Sequence, residues 1–186
     1  MEPVFRTLDI AAKTLVAATG TEITYQNLQN IPSTGGAVIA INHTSYVDWL
    51  PAALAVHYRG RRIRYMIKAE MQQVKIVNFL IKHTKTIPVD RRAGHKAYDE
   101  AVRLLRAGEV VGLMPEATIS RSFELKDFKT GAARMALDAG GTAVICNPMP
   151  LAAVKDVAAH GERVPRKSTS FGPKPRTGLG LRTFEP

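Results

Sequence analysis

His43 and Asp48 stand five residues apart in Asn42-His43-Thr44-Ser45-Tyr46-Val47-Asp48, directly after the apolar run Ala37 to Ile41. On a continuous helix the two would point roughly 140° apart, and on a strand to opposite faces, so they meet only if the chain turns between them. Thr44 and Ser45 are good helix N-cap residues and an apolar helical pattern begins just after them, which predicts a strand, a turn and a helix in that order. Such a turn lets the carboxylate take one imidazole nitrogen. It then fixes the tautomer and steadies the positive charge that forms when the other nitrogen accepts a proton, which is the arrangement of a general base. Ser45-x-x-Asp48 also reads as a helix capping box, which requires no chemistry at all.

The second chemical feature is cationic. The segment from His57 to Lys96 carries eleven Lys/Arg against two acids, Glu70 and Asp90. Such a segment suits an anion: nucleic acid, the anionic surface of a bilayer, or a phosphorylated small substrate. Arg91 offers a planar, permanently charged fork for two phosphate oxygens, or else pairs with Asp90 in a solvated loop. Aromatic residues make up 6% of the chain with one Trp, which argues against a base-stacking surface. No nucleic-acid partner is therefore expected, and a basic nucleic-acid-binding module is the competing class. No His, Cys and carboxylate cluster stands at ligand spacing, so no metal is expected. Cys146, the only cysteine, reads as a small buried residue rather than a thioester-forming nucleophile, and a chain without a disulfide fits the cytosol.

An alternation of helical and strand periods must position these groups. In residues 3–19, Phe5, Leu8, Ala12, Leu15 and Val16 recur at three- and four-residue steps and predict an amphipathic helix, either packed on its own domain or lying on a membrane. A short β-like run, Ile23 to Tyr25, precedes the buried strand Ala37–Ile41. There follow a helix over about 47–57, a strand over 62–67, a helix over 70–82, a strand over 84–89, a helix over 95–106, a strand over 109–114, a helix over 130–139 and a strand over 142–146. This order predicts an α/β fold, a mostly parallel mixed sheet flanked by helices, with His43 at the C-terminal edge of the sheet where such folds bind ligands. One domain is expected over 1–150, followed by a basic, Gly/Pro-rich tail over 151–186 that shows neither period and is expected to lie on the surface as irregular chain. No apolar run reaches the roughly 18–20 residues that cross a bilayer, and no secretion signal is evident.

Asn42-His43-x4-Asp48 resembles the signature of the glycerolipid acyltransferase family, whose members include lysophosphatidic acid acyltransferases. Thr86-Ile87-Pro88-Val89-Asp90-Arg91-Arg92 is similar to its second block, and Lys68 resembles its strand-end lysine. Pro115-Glu116-Ala117-Thr118-Ile119-Ser120-Arg121 resembles the third block, which usually reads Pro-Glu-Gly-Thr-Arg-Ser; here Ala117 replaces the glycine and Ile119 the arginine. The fourth block, an apolar strand ending in proline, is matched only by a distorted version, Val144-Ile145-Cys146-Asn147-Pro148-Met149-Pro150. The resemblance implies a glycerol-phosphate acyltransferase-like fold and a base-assisted acyl transfer with His43 as base and Asp48 as its orienter. It also implies that Lys68, Arg91 and Arg121 hold a phosphate while Glu116 and Thr118 order the glycerol part. The partners implied are an acyl-CoA or acyl carrier protein thioester, a lysophospholipid or glycerol-phosphate acceptor, and an anionic membrane surface. The place implied is the cytoplasmic face of the membrane, peripherally, with no cofactor beyond the acyl donor. A backbone N–H near the Asn42–Thr44 turn is the expected oxyanion donor. A catalytically silent, lipid-binding family member is a further reading.

Overall fold

The structure, a computed structural model, describes residues 3–90, 92–116, 119, 129–147 and 179–184. Its elements are α1 (Pro3–Ala18), β1 (Tyr25–Gln26), β2 (Ala37–Ile41), α2 (Trp49–Tyr58), β3 (Ile63–Lys68), α3 (Lys75–Thr84), β4 (Ile87–Val89), α4 (Gly94–Arg106), β5 (Val110–Leu113), α5 (Gly131–Ala139), β6 (Thr142–Asn147) and β7 (Leu179–Phe184). The continuous apolar run Ala37–Ile41 suits a strand covered on both faces. It forms the middle of a seven-stranded sheet ordered β1-β7-β6-β2-β5-β3-β4, and all five of its residues are buried. Five of the six strand pairings are parallel; only β6 with β7 is antiparallel.

The pleat of β2 splits the core in two. Ala37, Ile39 and Ile41 pack on the side of α2, with Ala52, Ala55 and Val56. Val38 and Ala40 pack on the side of α4 and α5, with Ala101, Leu105 and Met135 among others. The mostly parallel α/β sheet expected from the alternation is the fold found. Helix α1 lies against α2 and α3 and buries Phe5. Among the described residues no helix is long and apolar enough to cross a membrane.

Three local readings change. The helix expected over 70–82 is a 3-10 turn, Ala69–Gln73, then α3, separated by Val74 in extended conformation (φ −82°, ψ 115°). The pitches of the two helix types are too close for residue spacing alone to tell them apart. The strand expected from residue 84 starts at Ile87, because Lys85 ends α3 in the left-handed conformation (φ 53°) and the Thr86 N–H bonds back to the Ile81 carbonyl. The third concerns the tail. Leu179–Phe184 is a strand, inserted between β1 and β6, and not irregular surface chain. Its signal was long-range: an edge on β6, not a local period, gives these residues partners. Residues 148–178 lie outside the described residues.

Much of the cationic segment is consumed by the fold. Arg59 donates to the Ile31 carbonyl, and Arg61 to those of Pro32, Gly35 and Gly108. Arg62 pairs with Asp9 of α1 at 2.7 Å. Arg64, only 4% exposed, reaches both oxygens of Glu109 at 3.2 Å and the Thr84 carbonyl at 3.0 Å. Three of the eleven cations thus close loops and helix ends, where backbone carbonyls lack strand or helix partners, and a fourth ties α1 to the domain.

Gly36 enters β2 so close to the end of α4 that a Cβ there would collide with the Leu105 backbone carbonyl, which cannot swing aside. Gly36→Ala is expected to destabilise the protein by about 1–3 kcal/mol, read as a lowered denaturant midpoint with unchanged slope.

Candidate active site

Strand β2 has β5 on one side and β6 on the other, so the chain's path through the sheet reverses at its C-terminal end. Crevices of α/β sheets open at such points. The segment leaving β2 there is held by neighbours on both sides. The Asn42 N–H donates to the Cys146 carbonyl of β6 at 3.2 Å, and the His43 N–H donates to Glu116 Oε1, beyond the end of β5, at 2.9 Å. Asp48 Oδ2 then accepts the N–H groups of Thr44 and Ser45, each at 2.7 Å, and stands 3.2 Å from His43 Nδ1. The turn predicted between the imidazole and the carboxylate is therefore closed by that carboxylate.

Asp48 precedes α2 in helical backbone conformation but makes no side-chain bond to the first helical turn. Ser45 Oγ takes the Val47 N–H at 3.2 Å rather than the Asp48 amide, so the reciprocal half of a capping box is missing. One carboxylate serves both the turn and the ring. Asp48 is 4% exposed and the His43 side chain 18%, a buried orienting group beneath a ring that reaches the surface. With Nδ1–H directed at the carboxylate, Nε2 is the nitrogen left to accept a proton. The Tyr65 hydroxyl donates to the Trp49 carbonyl and ties the start of α2 to β3.

Of the other residues singled out in the sequence, Lys68 is the exposed last residue of β3, on the same sheet edge and about 10 Å from β2, with β5 between them. Glu116 is 6% exposed and joins His43 and Asp48 through the His43 backbone. Arg91, Thr118 and Arg121 lie outside the described residues. Asp90 is used locally, its Oδ1 accepting the Arg92 N–H at 2.8 Å as the chain enters α4. The expected oxyanion donor is corrected: the amides of Asn42, His43 and Thr44 already donate to Cys146, Glu116 and Asp48. Sequence reasoning missed the Cys146 carbonyl as a support of the turn, because a backbone acceptor has no residue signature. Among the described residues no group of three or more His, Cys, Asp or Glu side chains could hold a metal ion.

Cys146 is fully buried, and burial, with the negative charge of Asp48 adding to it, pushes its thiol up to about 12. At neutral pH it is a protonated core residue and not a nucleophile. Iodoacetamide at pH 8 is expected to leave Cys146 unmodified in the native protein and to alkylate it in denaturant, as read by intact mass.

The Acyltransferase family model matches residues 22–150 of the chain. A 1-acyl-sn-glycerol-3-phosphate acyltransferase of Bacillus subtilis (strain 168) is 35% identical over 111 residues, which are 59% of this chain and 54% of that protein. The protein of the same name from Borreliella burgdorferi is 27% identical over 124 residues, 65% of this chain and 48% of the relative. The chain spans about half the length of these curated relatives. The crystal structure of the 1-acyl-sn-glycerophosphate (LPA) acyltransferase PlsC from Thermotoga maritima matches with a TM-score of 0.62 at 20% identity, over 76% of this chain and 56% of that one. At that identity the likeness speaks for the fold. The family match runs through β2, the His43–Asp48 turn and Glu116, and the chain belongs to the acyltransferase family.

Proposed function

We propose that the chain moves a fatty acyl group from the thioester of an acyl-CoA or acyl carrier protein to a free hydroxyl of lysophosphatidic acid or a related glycerol-phosphate lipid, a step of phospholipid biosynthesis. The observation that carries this reading is the His43 Nδ1 to Asp48 contact at 3.2 Å, in a turn at the sheet's switch point. The acceptor hydroxyl gives its proton to His43 Nε2 while its oxygen attacks the thioester carbonyl, and Asp48 stabilises the imidazolium that results. When the tetrahedral adduct collapses, the C–S bond breaks and the departing sulfur takes the proton from Nε2. The products are an ester and a free thiol, with no acyl-enzyme. The sealed Cys146 agrees with a route that uses no protein thiol. Lys68, Arg91 and Arg121 are assigned to the acceptor phosphate, and Thr118 to its glycerol part. The acceptor class is supported by the names of the relatives.

The reaction is assigned to the cytoplasmic face of an anionic membrane. Helix α1 has three charged residues, and two of them bond to the domain: Asp9 to His57 and Arg62, Lys13 to His57. Ile10 and Leu15 of this helix are both more than half exposed. Tyr46, Val47 and Trp49, in the loop that carries Asp48 and at the start of α2, are exposed as well. Apolar groups beside the site, on a chain of net charge +10, suit a lipid surface.

With labelled acyl-CoA and lysophosphatidic acid, His43→Ala is expected to lower turnover by about 10²–10⁴-fold without changing the melting temperature; undiminished turnover in a folded variant refutes the mechanism. Asp48→Asn is expected to cost about 1–2 kcal/mol of stability and to lose most of its turnover, whereas a purely capping carboxylate would affect stability alone. Replacing Ile10 and Leu15 together by Glu is expected to reduce sedimentation with phosphatidylglycerol vesicles by about tenfold or more. Unchanged sedimentation removes α1 from the membrane contact.

A further inference from the structure

We propose that Glu116 is a positioning residue for His43, acting on the peptide that carries the imidazole, and not a ligand of the acceptor's glycerol part. The kinetic part of this inference rests on the acyl-transfer reading above; the contact itself does not. Glu116 Oε1 accepts the His43 N–H at 2.9 Å across 73 residues of sequence. It leaves the exit of β5, the strand paired with β2, and is 6% exposed. A bond between a buried carboxylate and an amide is stronger than one between neutral groups, and losing it strands a partly buried N–H.

The surrounding bonds say what this one controls. The Asn42 amide is held by the β6 backbone, and the amides of Thr44 and Ser45 are held by Asp48. Between them, the His43 peptide is gripped by a side chain from another strand. The 3.2 Å contact of Nδ1 with Asp48 therefore has two supports. Asp48, anchored by two amides, sets the ring's tautomer and rotation, and Glu116 sets the position of the backbone from which the ring projects. Displacing a reacting group by about 1 Å costs on the order of 10²-fold in rate. A glutamate that ordered the acceptor would act on acceptor affinity, whereas a glutamate that positions the base acts on turnover with acceptor KM untouched.

The test compares Glu116→Gln, Glu116→Asp and Glu116→Ala in the full chain. Glutamine keeps an oxygen at the right reach, aspartate keeps the charge but falls short of the amide, and alanine keeps neither. The expected result is a kcat loss of about 10–100-fold for the Asp and Ala variants and less than about fivefold for Gln, with KM for lysophosphatidic acid within about twofold throughout. A rise in acceptor KM in all three, or no change in any, overturns the proposal. Should the Ala variant fail to fold, the Gln and Asp pair decides alone. A second readout needs no activity. In ¹H–¹⁵N spectra of the unmodified protein, the His43 amide is expected downfield, and it should move upfield in the Asp variant while staying near its place in the Gln variant. Spectra that show this in a protein without acyl transfer would refute the proposed function and keep the contact; an unmoved His43 amide in the Asp variant refutes the contact.

Discussion

The backbone amides of Asn42, His43, Thr44 and Ser45 leave the end of β2 with no strand ahead to pair with, and an amide buried without a partner costs about 1–3 kcal/mol. Much of what surrounds this site can be read as the answer to that demand. One amide takes a carbonyl of β6, one takes Glu116 from beyond β5, and two take the single oxygen Asp48 Oδ2. Satisfying the amides folds the chain back on itself and brings His43 Nδ1 to that same oxygen. The contact between His43 and Asp48 is thus a by-product of closing a strand end, and its precision comes from bonds that have nothing to do with the ring.

The same economy governs the cations. A lone segment rich in Lys and Arg invites the idea of an anion-binding surface, yet Arg59, Arg61 and Arg64 spend donors on backbone carbonyls. Arg62 is tied to Asp9 and holds α1 in place. Guanidinium groups suit this work because they present several donors in a fixed fork to carbonyls that no helix or strand can reach. Lys68, at the site edge, ends β3 with its side chain exposed.

Helix α1 is held by apolar and polar contacts together: Phe5 is buried, and Val4, Leu8, Ala12 and Val16 are partly buried. Its polar residues Asp9 and Lys13 bond to His57, while Ile10 and Leu15 are exposed. Burial, with Lys13 and Arg62 beside it, keeps His57 below the ordinary histidine value despite Asp9.

Periods and boundaries were legible where neighbours in sequence decide them. Ala37–Ile41 is a strand because five apolar residues between glycine-rich and polar flanks can only be covered on both faces, and His43 and Asp48 are a pair because the turn between them is local. The α/β class follows from the same alternation. Tertiary structure decided the rest. Val74 breaks a pattern that reads as one helix, since a 3-10 turn and an α-helix repeat at nearly the same spacing. Leu179–Phe184 becomes a strand only because β6 offers it an edge, and no local window contains β6. Glu116 turns to the His43 amide because β5 lies beside β2, and the Asn42 amide is taken because β6 lies on its other side. A sequence records side chains and their spacing, while backbone donors and acceptors are alike at nearly every residue; which of them are left over, and what must come to meet them, is determined only when the strands are laid side by side.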